Sequence, residues 1–356
     1  MLSIGGLPMG WFLLKRVGLM LLTAFCLTFI VFALTNLQPN LEKMAKTLVN
    51  TRMSDEEVAR WLTRYGYEQP VLVRYGEWLG VMPGWTGSDE NGKPIGRCLN
   101  PDIAPEDAPR FCGVLQGNLG YSTVFKAPVK AIIAERLALT GWLMLWVMIV
   151  MVPTALIIGV LAGMREGSRL DRGLSIFSIA TTATPEYVSG VVFISVLASS
   201  AVGLQWFKGS AASAMEHMTF ENFTLPVLTM ALYGMGYIAR MTRASMAEVM
   251  TAQFIRTAHL KGLSFGTVVV RHALRNALIA PFTVIMLQFP WLLTGVVIVE
   301  SLFGYKGFGW TLVRAADNND IELLLSCSLV AVVIVLLTQL ISDIGYVYLN
   351  PRMRVA

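Results

Sequence analysis

Long apolar runs separated by polar and charged segments set the pattern of this chain. About 20 consecutive apolar residues are needed to cross the hydrocarbon core of a bilayer. Six runs reach that length, and we predict spanning helices at residues 11–34, 137–163, 173–200, 225–246, 277–299 and 321–349. Each run alone also fits a buried core helix. Six in one chain, several without charge across the middle, favour an all-α membrane protein.

The first apolar run resembles a secretion signal, because Lys15 and Arg16 precede it. The apolar part of a signal peptide is usually about 7–15 residues long and ends at a small-x-small cleavage site. Here the run continues from Val17 to Leu34, and Val31-Phe32-Ala33 does not fit such a site. We therefore expect an uncleaved first membrane helix.

Composition agrees with a membrane protein and not with a soluble one. Hydrophobic residues make up 55% of the 356 residues and charged residues only 14%, with a mean hydropathy of +0.60. A soluble domain carries roughly 25% charged residues. The net charge of +5 is compatible with a nucleic-acid partner. The placement of the basic residues offers another explanation.

Basic residues are concentrated in alternate short connections, which is the pattern that sets membrane orientation. One side holds thirteen Lys and Arg residues: Lys15, Arg16, Arg165, Arg169, Arg172, Arg240, Arg243, Arg256, Lys261, Arg271, Arg275, Arg352 and Arg354. The short connections of the other side hold three: Lys208, Lys306 and Arg314. We predict that both termini are cytoplasmic. Topology then explains the basicity, and no nucleic acid is expected.

The predicted spans divide the chain into three parts. Residues 1–34 form the N-terminus and helix 1, and residues 35–136 form an external, periplasmic segment. Residues 137–356 form a five-helix membrane core, in which the cytoplasmic loop 247–276 joins helices 4 and 5. The expected fold is thus an all-α membrane protein of six transmembrane helices, with an insertion between helices 1 and 2.

The external segment contains signals for two short helices. Ser54 followed by Glu57 is a capping box, in which each side chain satisfies a backbone amide of the other residue. Val58, Trp61, Leu62 and Tyr65 then fall on one helical face, and a second helix follows Pro70. Residues 81–114 are rich in Gly, Pro, Asn and Asp, which is typical of loop.

Cys98 and Cys112 are the two cysteines of the external segment. Exported loops can be oxidised, so we predict a disulfide between them. The alternative is a pair of free thiols. Cys26 and Cys327 lie in predicted spans, where they are expected to be small packing residues.

The loop at residues 247–276 is too long and too patterned for a simple connector. Apolar and polar residues alternate with helical spacing from Glu248 to Lys261, and Gly262 ends the pattern as a helix-terminating glycine does. Ser264 can cap a second short helix. We predict two amphipathic helices with a glycine corner, a knob that could fit a groove on a partner protein. The alternative is an interfacial helix pair whose basic residues are attracted by anionic lipid.

The sequence at residues 254–263, followed by residues 271–277, resembles the cytoplasmic signature loop of ABC importer permeases of the dipeptide/oligopeptide/nickel branch. Where the general pattern has Glu-Ala-Ala and a later Gly, this chain has Arg256, Thr257, Ala258 and Gly262. In such permeases the loop is a coupling helix that docks on the nucleotide-binding subunit. The docking residues that the resemblance implies are Phe254, Arg256, Thr257, Ala258, Lys261, Gly262 and Leu263.

The resemblance runs along nearly the whole chain, from residues 10–16 through 65–79, 117–122 and 300–309 to 343–352. It implies a non-catalytic transport subunit of a bacterial inner membrane importer for peptides or similar solutes, such as nickel chelates, opines or oligosaccharides. The implied partners are a second, homologous permease forming a heterodimer, two ABC ATPase subunits, a periplasmic binding protein and membrane lipid. The cysteine-containing loop departs from compact members of this family, in the region where a binding protein would land.

No cofactor is expected on this chain itself. It has no G-x-x-x-x-G-K-[ST] phosphate loop, because Gly92-Lys93 is followed by Pro94, so ATP and Mg²⁺ are assigned to the partner ATPases. His217 lies near Glu216 and Glu221. A lone histidine beside surface acids is far more often solvated than metal-bound, so no metal site is expected.

Polar residues within spans are the candidates for the substrate pathway, because such residues are costly in a bilayer. Gln288 and Asp343 lie within spans, and Glu186 and Glu300 lie nearer the ends. The alternatives are hydrogen bonding between helices for the first two and a place at the outer interface for Glu186.

Other transport classes fit the sequence less well. A secondary transporter driven by an ion gradient is expected to show internal repeats, and none is clear. A channel subunit would not need a docking knob, and an intramembrane enzyme would need a catalytic pair within the spans.

Overall fold

A computed structural model describes residues 3–4, 7–50, 52–89, 92–99, 108–200 and 204–349. The basic residues Arg352 and Arg354 and the end of the family-like segment at 343–352 lie outside these residues. Helices dominate the described chain: α1 (Met9–Thr35), α2 (Gln38–Leu48), α3 (Asp55–Arg64), α4 (Val71–Leu79), α5 (Val129–Gly163), α6 (Arg169–Ala183), α7 (Glu186–Phe193), α8 (Phe220–Met250), α9 (Gln253–Leu260), α10 (Phe265–Thr267), α11 (Leu274–Ala277), α12 (Ile279–Phe303), α13 (Phe308–Asp317) and α14 (Ile321–Leu349).

Irregular helical turns and very short strands complete the described structure. A π-helical turn, Ile194–Ala198, extends α7, and a second, Val268–Ala273, joins α10 to α11. Single 3₁₀ turns lie at Val114–Gln116 and Ala212–Met215. Three antiparallel hairpins pair β1 (Ser3–Ile4) with β2 (Leu7–Pro8), β3 (Thr86–Ser88) with β4 (Pro94–Gly96), and β5 (Tyr121–Ser122) with β6 (Ala127–Pro128).

The chain divides into two compact units. The first, which we call the core unit, consists of residues 1–18, 137–310 and 334–356. The second, the outer unit, consists of residues 19–136 and 311–333. Residues 19–34 and 311–333 are thus grouped with the 35–136 segment in one compact unit.

Helix α8 lies in the interior of the core unit. Its side chains Leu225, Met230 and Ile238 are fully buried and pack with residues of α5 and α12. Small residues allow the close approach: a Cβ added to Gly159 or Gly163 of α5 would lie 2.6 Å from a backbone carbonyl oxygen of α8. Small residues spaced four apart are typical of closely packed membrane helices.

The third predicted span is broken in the structure. Helix α6 ends at Ala183 and α7 begins at Glu186, with a bend of 102° between them. Pro185 at the start of α7 lacks an amide hydrogen and disfavours helix at the preceding residue. Thr184 is accordingly extended, with a φ of −93° and a ψ of 119°. The prediction of one continuous helix at 173–200 was therefore wrong.

The outer unit forms around the apolar helical faces that the sequence predicted. Ser54 caps α3 with the expected capping box, and Val58 and Leu62 of that helix are buried. Tyr75 and Trp78 of α4 are buried as well. The face predicted for α3 therefore turns inward at Val58 and Leu62.

Helices α1 and α2 complete this cluster. Phe32 of α1 packs against the aromatic rings of α4, with its centroid 5.3 Å from that of Tyr75. Helix α2 was not predicted, although it buries Leu41 and Met44 in the same cluster. The C-terminal half of the first apolar run is thus an integral part of the outer unit.

The described residues of the glycine-rich loop at 81–114 include a hairpin and a disulfide. Strands β3 and β4 pair around a turn in which Asp89 Oδ1 accepts a hydrogen bond from the Lys93 backbone N–H, 2.8 Å away. Cys98 and Cys112 are joined as a disulfide, with their Cα atoms 5.5 Å apart. Cys26 and Cys327 are free thiols.

Length and apolar composition identify three single helices that could cross a membrane, at Leu14–Thr35, Val129–Gly163 and Ile321–Gly345. Three bent pairs bring the number to as many as six: Arg169–Ala183 with Glu186–Ala198, Phe265–Ala277 with Ile279–Leu293, and Val296–Phe303 with Phe308–Asp317. Helix α8, predicted as a span at 225–246, is not among them. It is the buried helix of the core unit and carries Gly, Thr and Tyr residues that lower its mean hydropathy.

Candidate functional site

The knob at residues 247–276 is built from two short helical pieces around a glycine corner. Helix α8 continues to Met250, so Glu248 and Val249, which the sequence pattern assigned to the first knob helix, belong to α8 instead. The first knob helix is α9, from Gln253 to Leu260. Ser264 caps the second piece as predicted, accepting a hydrogen bond from the Thr267 backbone N–H at 3.4 Å.

Helix α9 is two-faced. Ile255 and Ala258 are 1% and 5% exposed and pack with Met246, Val268 and Ala273, which ties the knob to the end of α8. Of the predicted docking residues, Ala258 therefore differs from the others. Its methyl group is part of the core of the knob, because it lies three residues after Ile255 on the same helical face. It supports the exposed surface and does not form it.

The remaining predicted docking residues all lie at the surface: Phe254, Arg256, Thr257, Lys261, Gly262 and Leu263. Leu260, which the sequence reasoning did not select, is 82% exposed, more than any other large apolar side chain among the described residues. Val270 on the second piece is also exposed. Clustered exposed apolar residues are unfavourable in water, so this surface has the character of an interface.

Gly262 is required by backbone conformation and not by space. Its φ is +76°. This value lies in the left-handed region that favours glycine. A Cβ added at Gly262 would meet no other atom within 4 Å. The Leu263 backbone N–H donates to the Ala258 carbonyl at 3.3 Å, which closes the end of α9. Gly262 thereby sets the direction in which the second piece leaves the first.

A buried ion pair that the sequence reasoning missed joins α6 to α8. Arg243 donates from Nε to Asp171 Oδ1 at 2.5 Å and from Nη2 to Oδ2 at 2.8 Å. The Asp171 side chain is 3% exposed and the Arg243 side chain 29%. Asp171 also accepts hydrogen bonds from the Gly167 backbone N–H and the Ser175 hydroxyl. The two partners are 72 residues apart, and in the sequence Arg243 counted only as one positive charge among thirteen.

The turn held by Asp171 also contacts the knob. Arg165 in this turn lies over the ring of Phe265, 5.5 Å from its centroid. His259 of α9 stacks on the same Phe265 ring, with the two centroids 6.5 Å apart. The knob is therefore in direct contact with the turn at 164–168, which Asp171 ties to both α6 and α8.

Glu300, predicted for the pathway, is instead a fully buried part of the core unit. Its carboxylate accepts hydrogen bonds from the Thr140 hydroxyl and from the Trp310 backbone N–H, the latter at 2.8 Å. The Thr140 hydroxyl oxygen in turn accepts from the Phe308 N–H at 2.8 Å. These bonds give Glu300 a structural role in the turn after α12, and its place in the pathway stays a prediction.

The other pathway candidates differ in their burial and in the bonds that they form. Gln288 is buried in the middle of α12, Glu186 is a half-buried residue at the start of α7, and Asp343 of α14 forms an ion pair with Arg16 at 3.1 Å. Among the described residues, no hydrogen bond or ion pair joins any two of the four candidates. Asp343 and Arg16 were both visible in the sequence, but their pairing across nearly the full chain length was not.

Known proteins resemble this chain in sequence. Residues 155–355 match the family model described as binding-protein-dependent transport system inner membrane component. An oligopeptide transport system permease, AppB of Bacillus subtilis, is 29% identical over 86% of this chain and 87% of its own length. A probable peptide ABC transporter permease of Sinorhizobium fredii, y4tP, is 32% identical over 68% of this chain and 77% of its own length.

A di/tripeptide permease, DppB of Pseudomonas aeruginosa, is 28% identical over 96% of this chain and 98% of its own length. A solved amino acid ABC transporter aligns with this chain with a TM-score of 0.46 and 15% sequence identity. The alignment covers 61% of this chain and 93% of the transporter chain. The family match extends over more than half of the chain and includes the knob, α8, α12 and α14. This chain belongs to the family of inner membrane components of binding-protein-dependent transport systems.

Proposed function

We propose that this chain is one half of the translocation pathway of an ATP-driven peptide importer, and that the knob at 247–276 is where a partner ATPase docks. The observation on which this rests is the composition of the knob surface. Leu260 and Phe254 are exposed beside the cations Arg256 and Lys261, while the inward face anchors the same helix to α8. To transmit a movement of the ATPase to the membrane helices, the knob must be anchored on one side and offer apolar and charged groups to the ATPase on the other.

Six transmembrane segments are proposed: α1, α5, the bent pair α6–α7, α8, α12 and α14. Exposed apolar side chains cover the outside of several of these helices, among them Leu21, Ile157, Ile176, Leu287 and Ile341. Such surfaces are unfavourable in water and are covered by lipid or by a second permease. Helix α8 is proposed to cross within the bundle, where neighbouring helices and not lipid surround it.

We further propose that the termini and the knob lie in the cytoplasm and residues 36–128 in the periplasm, which is the orientation that the distribution of basic residues favours. The partners are then a second, homologous permease, two ATPase subunits that bind ATP and Mg²⁺, and a binding protein that meets the outer unit. The chain itself is proposed to have no catalytic activity. Peptides are proposed as substrates because AppB and DppB are named as oligopeptide and di/tripeptide permeases.

The docking proposal is tested by two matched substitutions, Leu260→Glu on the knob and Leu72→Glu on α4 of the outer unit. Both leucines are highly exposed, at 82% and 68%, so neither change disturbs a core. The chain is produced together with its second permease and the ATPases, and the complex is isolated through a tag on this chain. We expect L260E to lose the ATPases and L72E to retain them, because a carboxylate would be buried without a partner only in the first case.

The opposite pattern, with loss in L72E alone, would refute the proposed orientation, and retention in both would refute docking on the knob. Uptake of a labelled dipeptide separates the transport classes. We expect uptake that needs the binding protein, is inhibited by vanadate and survives dissipation of the ion gradient. Uptake that stops with the gradient and ignores vanadate would favour a secondary transporter instead.

A further inference from the structure

The outer unit contains a cavity of about 250 Å³ that the transport proposal does not use. Its walls combine aromatic side chains, including Phe32, Tyr65, Tyr67 and Trp85, with charged ones. Drug-sized ligands occupy cavities of roughly 300–1,000 Å³, so this one has room for a smaller molecule. Four charged side chains line it, namely Arg74, Glu77, Arg97 and Glu322.

Two of the four charges form an ion pair with each other. Arg97 Nη1 lies 3.1 Å from Glu322 Oε1, between the disulfide loop and the start of α14. This contact uses one nitrogen of the guanidinium and one oxygen of the carboxylate. Arg97 Nε and Glu322 Oε2 remain buried without a hydrogen-bond partner. The other two charged residues of the cavity, Arg74 and Glu77, both lie on α4.

Glu77 is a buried acid without a hydrogen-bond donor. The residue is 5% exposed, yet across the part of the chain that the structure describes, nothing donates a hydrogen bond to its carboxylate. Burial raises the pKa of this carboxyl, while the nearby Arg97 and Arg74 act in the opposite direction. An unpaired buried carboxylate is costly, and such groups in native structures usually have an ion, a ligand or a cation as partner.

Arg74 keeps a donor free on the same face of α4. Its Nη1 donates to Asn36 Oδ1 at 2.9 Å and its Nε to the Gln69 carbonyl at 3.1 Å. These two bonds orient the guanidinium, and no described residue accepts from Nη2. Residues three apart on a helix lie side by side, so the open donor of Arg74 and the open carboxylate of Glu77 are neighbours along one wall.

We propose that this cavity binds a small zwitterion, with the ammonium group on Glu77 and the carboxylate on Arg74, which is the chemistry of a free amino acid or a short peptide. The aromatic part of the lining also suits an ammonium group. Tyr65 and Trp85 lie edge to face with centroids 5.9 Å apart. Aromatic faces attract an ammonium group. The site lies wholly within the outer unit, so it is separate from the docking knob and does not depend on the transport proposal.

Binding is tested by titration calorimetry on the full chain in lipid nanodiscs, without ATP and without partner subunits. The probes are L-alanyl-L-alanine, its N-acetyl derivative and its C-terminal amide. We expect heat from the free dipeptide and at least about tenfold weaker binding of each blocked form, because each loses one charge-assisted hydrogen bond. Equal binding of the N-acetyl form would overturn the assignment of the ammonium group, and equal binding of the amide would overturn that of the carboxylate.

The location is tested by Glu77→Gln, which keeps the shape of the side chain and removes its charge. We expect E77Q to bind the free dipeptide at least about tenfold more weakly. The matched control is Glu56→Gln, an exposed acid on α3 outside the cavity, which is expected to leave binding unchanged.

Unchanged binding in E77Q would place the ligand elsewhere and refute the proposal, as would the absence of heat at millimolar dipeptide. If E77Q does not fold, the comparison of the three probes on the unaltered protein still decides. ATPase co-purification does not involve this cavity, so failure here and failure of the docking proposal are distinguishable.

Discussion

The Asp171–Arg243 ion pair connects the turn at 164–168 to α8. The substitution Asp171→Asn directly tests how much this ion pair stabilises the fold. The substitution keeps the size of the side chain. An amide oxygen can still accept from the Gly167 N–H, which lies 2.8 Å from Asp171 Oδ2. The charge, and with it the two-pronged bond to Arg243, is lost.

The expected cost follows from burial. Removing one partner of a buried ion pair costs about 3–5 kcal/mol, whereas exposed pairs contribute about 0–1 kcal/mol. The Asp171 side chain is buried, with 3% exposed, whereas 29% of the Arg243 side chain is exposed. The pair is therefore intermediate between a buried and an exposed ion pair. Arg243 also keeps Glu166 as a weaker partner, 3.8 Å away. We therefore expect Asp171→Asn to reduce the free energy of unfolding by about 2–3 kcal/mol.

The assay is thermal unfolding of the purified chain in detergent, with Arg172→Gln as the matched control, since Arg172 is the exposed neighbour in the sequence. Asp171→Asn should lower Tm by several degrees and Arg172→Gln should not. A double-mutant cycle with Arg243→Gln should give a coupling energy of about 1–3 kcal/mol. Additive effects, or the same Tm for the Asp171 and Arg172 variants, would refute the reasoning.

Four further predictions concern the rest of the chain. Glu300→Ala should lower Tm and increase proteolysis near residues 304–309, because the Thr140 hydroxyl and the Trp310 N–H lose their acceptor. An unchanged digestion pattern would contradict a structural role of Glu300. Ser54→Ala should destabilise α3 by about 1 kcal/mol, measured by hydrogen exchange of its first turn. Hydrogen bonds from Ser54 hold the pKa of the Glu57 carboxyl below its ordinary value. Protection of that turn should therefore be complete above the ordinary pKa of a glutamate and decline as the pH falls through the lowered pKa; protection that is independent of pH would contradict this. Gly262→Ala should reduce ATPase co-purification more than Gly262→Asn, because asparagine tolerates a positive φ better than alanine does. Equal losses in the two variants would argue that docking does not depend on the left-handed backbone at this position.

Local patterns predicted those parts of the fold that local physics decides. The capping box at Ser54, the apolar face of α3 and the helix end at Gly262 were all predictable, because each depends on residues within about two turns of one another. The same holds for the two-faced character of α9. The sequence did not predict which residues of α9 face inward. Ala258 was included among the docking residues because the family-like motif does not mark which of its positions face the core.

Pairings between distant segments were invisible. Asp171 and Arg243 are 72 residues apart, Thr140 and Glu300 are 160 apart, and nothing in either local sequence indicates the partner. The role of α8 was also decided by packing. It was predicted as a span at 225–246, yet it is not among the helices that are apolar enough to cross a membrane, and its side chains pack inside the core unit.

By itself, the sequence determined that the chain is a helical membrane protein with a basic knob between two apolar segments, because hydropathy, charge placement and turn chemistry act over short distances. The tertiary structure alone decided which face of α9 remains open, and that Arg74, Glu77, Arg97 and Glu322 line one cavity. Those features depend on which distant residues exclude water from one another, and only the folded chain brings these residues together.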